Sequence, residues 1–487
     1  MKKEQSCYFD KRANLDTAEL VDFSLLVLLS LLAAVFTLGS FQVSSEAFEN
    51  MNGFYINGSY FYYLPNRMTD LFIFIPASIA YLTLALIFIY RRYAKTKKLP
   101  SKNLITILGI LVLVRFISAF SFPYGEQVYS YLSPFNHQFY SVSYQGYLIG
   151  ERIVSFLDEI LFYSFFFIAI DFIPTFSVSN KKVVNGLLYL IIGIAFIMSI
   201  YAFIVSFSAI ANNFRFIFID STLQLDYSIT SFTSQRNVFG FFLLMGAIAS
   251  FLLSFREKPN PLLFFFSFYF SFFCLLAWSR IASVLSLVLL ILLHLGVLLF
   301  TKYKGYRIYS LVVLAVGLFL TVLFLMALKE TDIAVSFMHA LERFKDDGTL
   351  EARYGLWQKA FSMFNNPYAI IFGYGRIPYI SILDSYSVLI NSQVLWTSHN
   401  AFIDQLLSYG LLGIVFEVAF LGYLIYRFSL LAKNRSKIGL AYLVILILLF
   451  VYSNYEPRML LSMEGTEIML FYVFVLPFLF DSKNYSY

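Results

Sequence analysis

Only two cysteines, Cys7 and Cys274, occur in 487 residues. One falls on the amino-terminal tail and the other inside an apolar run, so neither a disulfide framework nor a thiolate metal site is expected. Histidine is nearly as scarce, with four copies, and no pair stands at metal-ligand spacing. A glycine-rich phosphate loop and a dinucleotide fingerprint after a strand are missing too, so ATP-driven and zinc-dependent chemistry have no support, and neither metal nor cofactor is expected. Charge is the third shortage. Asp, Glu, Lys and Arg make up 13% of the chain, too little to clothe a water-facing surface, which excludes a soluble domain.

What the chain has instead is apolar length: 60% of residues are hydrophobic and 20% aromatic. Runs of roughly 20 apolar residues, each able to cross a hydrocarbon core of about 30 Å, recur throughout. They read as about twelve helical spans, near 20–41, 70–90, 103–122, 151–172, 184–211, 237–255, 261–277, 281–300, 307–328, 401–426, 438–454 and 466–480. The expected fold is therefore all-α, a polytopic integral membrane protein forming a single transmembrane domain over residues 1–487. The opening "MKKEQSCYFDKR" lacks a small-residue cleavage site, so the first run is expected to stay as an anchor.

Lysine and arginine resist translocation and so orient the spans. With both termini cytoplasmic, "RRYAKTKK", the lysine pair at 181, Arg256, the cluster from Lys302 to Arg307 and that from Arg427 to Lys437 all fall on the cytoplasmic side, in short loops. The net charge of +6 is mostly this topological signal and implies no nucleic-acid partner. The basic run is also placed to touch anionic membrane lipid. The other face takes the bulk: about 30 residues after the first span, about 28 after the third, and about 70 between spans nine and ten, from Lys329 to Ser398. A short-looped inside and an elaborated outside put the working surface outside.

The long segment 329–398 is not composed like a disordered linker. In "EARYGLWQKAFSMFNNP", Tyr354, Trp357, Phe361 and Phe364 share one helical face, and Pro367 ends the helix, giving a short helix that packs or anchors at the outer membrane surface. Arg343, Lys345, Arg353, Lys359 and Arg376 make this segment cationic. Guanidinium is always charged and grips phosphate oxygens two at a time, so arginines here suit a lipid phosphate or diphosphate. Arg280, in "AWSRIAS", occupies a tight outer turn where topology gives no reason for positive charge. Arg236 and Asn237 precede another span in the same way. Asp346 and Asp347 read as a surface turn. Within the spans, Arg115 is expected to pair with Asp158 or Glu159 at similar depth, because an unpaired charge there is costly. His294 and Glu417, nearer the cytoplasmic side, are assigned no chemistry.

In order, "QRNVFG", "WSR" opening a span, "EARYGLWQKAF" with "NNPYAIIFGYGR", and "SHNAFIDQLLSYGLLG" opening another span resemble the O-antigen ligase and polymerase superfamily over about residues 230–425. The histidine-asparagine helix start followed by a glycine pair is its most telling element. The resemblance implies a metal-independent, inverting, membrane-embedded glycosyltransferase with an outward-facing site in a bacterial cytoplasmic membrane. Its donor would be an oligosaccharide on polyprenyl diphosphate, with a chain-length regulator protein as an optional further partner. His399 takes the role of the base acting on the acceptor hydroxyl, and Arg280 and Arg353 those of donor-diphosphate ligands; Arg343 competes with Arg353. Arg236, Asn237, Arg376 and Asn400 are further candidates for substrate contact. A helix amino terminus disfavours protonated imidazole, which suits a base. A polymerase is the leading expectation. A ligase serving a different acceptor uses the same parts, and a flippase remains the rival from another class, although it calls for two pseudo-symmetric halves and polar groups near the midplane.

Overall fold

Lipid offers backbone groups no hydrogen bonds, so each apolar run must satisfy its own peptides as a helix. The structure, a computed structural model, has helix in the described part of each expected segment. It describes residues 17–38, 67–97, 99–120, 126–132, 139–145, 149–173, 181–220, most of 222–231, 236–256, 260–327, parts of 357–373, 398, 400–433, 437–456 and 470–483. Helices α1 (Thr17–Leu38), α2 (Arg67–Thr96), α3 (Lys102–Phe120), α4 (Ile149–Phe172) and α5 (Lys181–Val205) are followed by a shorter α6 (Phe207–Phe218). Next come α7 (Arg236–Arg256), α8 (Pro261–Leu276), α9 (Arg280–Phe300), α10 (Lys304–Ala327) and a short α11 (Pro367–Phe372). Helices α12 (Ala401–Lys433) and α13 (Lys437–Ser453) precede α14 (Leu476–Lys483), which is entered through a π-helical turn, Phe471–Val475. Among the described residues, five helices are long and apolar enough to cross a membrane. The protein is an all-α polytopic membrane protein.

Three departures from the sequence reading have local causes. The segment after α3 contains an antiparallel hairpin, β1 (Glu126–Leu132) with β2 (Phe139–Gln145). Both strands are rich in Tyr, Val and Phe, residues that favour extended backbone. The expected fifth span ends early: the helix breaks at Ser206, and α6 continues as a separate amphipathic helix with Ala209, Ile210, Asn213, Phe216 and Ile217 buried. Pro367 does not merely end the aromatic helix. It takes the first position of α11, where a residue without an N–H costs nothing.

Helix α7 is apolar around its whole circumference and lies in the middle of the bundle, buried on all sides from Phe239 to Arg256. It packs against α5, α8, α9 and α13. Helices α1, α2 and α4 form a second group, which reaches α12 through α3. Charges at the helix ends lock these groups. The basic run of α2 folds back on α1, with Arg91 and Arg92 2.7 and 3.2 Å from the Asp22 carboxylate and Lys95 3.5 Å from Glu19. At the carboxyl end of α7, Arg256 pairs with Asp481 of α14 and donates to Asn185 Oδ1 at 2.9 Å, while the Tyr442 hydroxyl donates to Asp481 at 2.7 Å.

Both partners of that last pair are buried, so removing one leaves a charge without its counterion, at a cost of about 3–5 kcal/mol. Asp481→Asn is therefore expected to lower the melting temperature in detergent markedly. Asp22→Asn should also lower it, because half-exposed Arg91 can turn to water but buried Arg92 loses its carboxylate partner. Equal melting temperatures for Asp481→Asn and wild type would remove the α7–α14 lock from the account.

Candidate functional site

The described candidates come from three helix ends. Arg236 and Asn237 open α7, Arg280 opens α9, and Asn400 precedes α12. Three contacts draw these ends together. A Cβ at Gly240 would stand 2.0 Å from Ser279 Oγ, so the first turn of α7 lies directly against the residue before Arg280. Asn237 Nδ2 donates to Glu456 Oε1 at 2.8 Å, just beyond α13. Asn400 Nδ2 reaches the Asn454 carbonyl at 3.4 Å, on the same turn. Arg236, Asn237, Arg280 and Asn400 thus share one end of the bundle. Both arginines are half-buried, and Asn400 is buried.

The helix start that carries the expected base is tightly specified around position 399. Asn400 is the N-cap of α12: its Oδ1 accepts from the amides of Phe402 and Ile403 at 3.0 and 3.2 Å, filling two of the donors that a helix start leaves open. Asp404, which the sequence gave no role, turns back to accept the Ser398 amide at 2.9 Å. The carbonyl of the peptide before position 399 accepts from Trp357 Nε1 at 2.8 Å, and the amide of the peptide after it reaches Ser398 Oγ at 3.2 Å. Both peptides flanking position 399 are therefore bonded. Trp357, a member of the expected aromatic stripe, serves here as a packing residue against this helix start. His399, Arg343, Arg353 and Arg376 lie outside the described residues, as do the turn at Asp346 and Asp347 and most of the loop 329–398.

Sequence reasoning missed Glu456. It is a buried carboxylate at the meeting point of α7, α12 and α13, and its one visible signal was an acidic residue amid "SNYEPR" after an apolar span. Asn213 was missed as well. It lies on α6, fully buried, in an asparagine pair directly after the expected fifth span. Nearby, the loop after α6 opens with Asp220, whose carboxyl is held below the usual range by the Thr222 hydroxyl and amide.

Below this end, Arg115 of α3 donates to the Tyr163 hydroxyl at 2.7 Å and lies against the ring of Tyr409. The side chains of Asp158 and Glu159, its expected partners, are outside the described residues. The neighbouring helix α4 is the one anticipated, with Tyr163 as the described contact. Glu417 is within electrostatic reach of Arg115. Between Tyr409, which meets Arg115, and Glu417 the helix α12 breaks at Gly410. His294 is a packing histidine, stacked on Phe264 at 5.2 Å with Nδ1 3.2 Å from Ser310 Oγ.

Residues 262–417 match the family model described as O-antigen ligase. The match includes Arg280, Trp357 and the Ser398–Asn400 helix start, and supports the O-antigen ligase and polymerase superfamily that the sequence motifs resemble. It indicates a function of the O-antigen ligase or polymerase type. Arg115, Asn213, Arg236, Asn237 and Glu456 lie beyond its limits. A comparison with curated proteins gives no match.

Proposed function

On that family footing, we propose that the protein is a polysaccharide polymerase of a bacterial cytoplasmic membrane. It transfers a growing glycan from polyprenyl diphosphate to a hydroxyl of a second lipid-linked repeat unit. The end of the bundle that carries Arg280 and Asn400 faces outward, with both termini and the Arg91 and Arg256 clusters inside, as the distribution of basic residues favours. The segment 329–398 is the outer loop of a single transmembrane domain. The observation that carries the reading is the bonded frame around position 399 at the same bundle end as Arg280: a reacting side chain needs a fixed root.

In this reaction the acceptor hydroxyl oxygen forms a bond to C1 of the donor sugar as the C1 to phosphate oxygen bond breaks, with inversion. His399 takes the hydroxyl proton. Polyprenyl diphosphate leaves with growing negative charge, which Arg280 and Arg353 stabilise in a partly dehydrated site. Arg236, Asn237, Arg343, Arg376 and Asn400 are the remaining candidates for substrate contact. The reading assigns the diphosphate charge to guanidinium groups and calls on no metal ion or cofactor. The membrane itself is a partner, and a chain-length regulator would bind on the outer face.

Incubating purified protein with a short polyprenyl diphosphate oligosaccharide tests the reading. A product ladder is expected. Transfer only to a foreign acceptor would make it a ligase, the second reading, which the description of the matching family favours. No covalent product would revive a flippase. Within that assay Arg280→Ala is expected to lower kcat/KM for the donor about tenfold or more, since a charge-assisted hydrogen bond contributes about 1.5–3 kcal/mol. Arg280→Lys should fall between, keeping charge but losing the two-pronged grip. Equal kcat/KM in all three proteins would end the diphosphate role of Arg280.

A further inference from the structure

Arg280 is the first residue of α9, so the turn before it decides where its guanidinium can reach. That turn is short and strained. Only residues 277–279 separate α8 from α9, and Trp278 sits at φ 54°, a left-handed backbone that bulky residues rarely adopt. Something outside the turn must hold it. Trp278 is buried, and its ring meets Phe216 of α6 edge to face at 5.6 Å. Three residues before Phe216 on the same helix, Asn213 Nδ2 donates to the carbonyl of Leu276 at 3.0 Å, the last residue of α8. Terminal helix carbonyls have no partner within the helix, so this bond ties the end of α8 to α6.

Asn213 is held firmly enough to act as a strut. Its Nδ2 also donates to the Asp226 carbonyl at 2.8 Å, and its Oδ1 accepts the Asp226 amide at 2.8 Å. The adjacent Asn212 donates to the Gln224 carbonyl at 2.6 Å. Helix α6 and the loop behind it thus form a bracket that meets the end of α8 through a fully buried amide.

We propose that Asn213 is a positioning residue for Arg280, fixing the turn from which that guanidinium engages the donor diphosphate. The inference rests on the donor role proposed for Arg280, and it extends the working machinery to a helix outside the segment matched by the family model. Asn213 acts through Arg280 and does not itself touch the donor.

The test is a double-mutant cycle on equilibrium binding of a short-chain polyprenyl diphosphate to purified protein, with the polyprenyl monophosphate as the comparison ligand. Asn213→Ala is expected to weaken diphosphate binding about tenfold, and to change nothing further when added to Arg280→Ala, because residues acting as one unit are not additive. Asn213→Asp keeps the acceptor for the Asp226 amide and loses both donors, so it is expected to behave like Asn213→Ala. In a Cys7→Ser background, labelling of the buried thiol Cys274, whose carbonyl accepts the Ser279 amide at 3.1 Å, reports independently whether the turn has loosened. Unchanged binding in Asn213→Asp, or an Asn213 effect that persists undiminished in the Arg280→Ala background, overturns the inference while the donor reading stands. Unchanged binding in Arg280→Ala overturns the donor reading, and the inference with it.

Discussion

His399→Ala is expected to yield protein that inserts, purifies and melts like wild type yet forms no polymer. A sugar hydroxyl is a poor nucleophile, and losing the group that takes its proton removes about 10²- to 10⁴-fold in rate, enough to erase a product ladder. The expectation of normal stability comes from the neighbours. Asn400 caps α12, Asp404 and Trp357 bond the peptide groups of Ser398, and the Ser398 hydroxyl meets the Asn400 amide. None of these bonds uses the side chain at 399, so the frame should survive its loss. Asn400→Ala should show the reverse pattern: a lost N-cap costs about 1 kcal/mol of stability with activity reduced rather than abolished. His399→Gln keeps a polar side chain without a base and should be as inactive as alanine. Long chains of normal length from His399→Ala would take the base role from this residue.

The helices were legible because each apolar run is long enough to span and has no other way to satisfy its backbone in lipid. The same pattern hid the places where the chain departs from a continuous span. Around Ser206 the residues stay apolar enough to read straight on, and the turn into α6 depends on Asn212 and Asn213 finding partners in a loop a dozen residues later. Arg236 and Arg280 stood out because topology gave no account of their charge, and Asn400 through the histidine-asparagine motif; the structure gathers them, with Asn237, at one end of the bundle. Asn213 and Glu456 did not stand out, since a buried polar residue is defined by its partner and the partner is distant in sequence. Rise per residue measures depth only along an unbroken helix, and α12 breaks at Gly410.

That break leads to the second large effect. Gly410→Ala is expected to lose activity together with stability, and Gly373→Ala to match it. Gly410 sits at φ 66° and ψ −163°, a backbone that only glycine adopts at low cost, with strain of about 1–3 kcal/mol for other residues. Space makes it worse. A Cβ at 410 would lie 2.3 Å from the Ile371 carbonyl carbon and oxygen, while one at Gly373, itself at φ 73°, would lie 2.4 Å from the Ser408 carbonyl carbon and the Tyr409 amide. The two segments therefore cross backbone on backbone, each glycine opening room for the other. Helix α3 seats the crossing: the Ser118 hydroxyl donates to the Phe372 carbonyl, and Arg115 lies on the Tyr409 ring. The first nine residues of α12 take their direction from this junction, and they begin at the Asn400 cap. A methyl group there must push the helix start off its frame or unfold α11, and either way the peptides flanking position 399 move. Gly422→Ala is the control, since nothing lies within 4 Å of a Cβ at that site in the same helix; there alanine should be neutral or stabilising by about 0.5–1 kcal/mol. Melting temperature and ladder formation measured on the three variants decide the matter. Because the clash is mutual, the double variant should cost less than the two single losses added together. Gly410→Ala with an unchanged melting temperature and full activity would mean that the crossing does not hold the helix start in place.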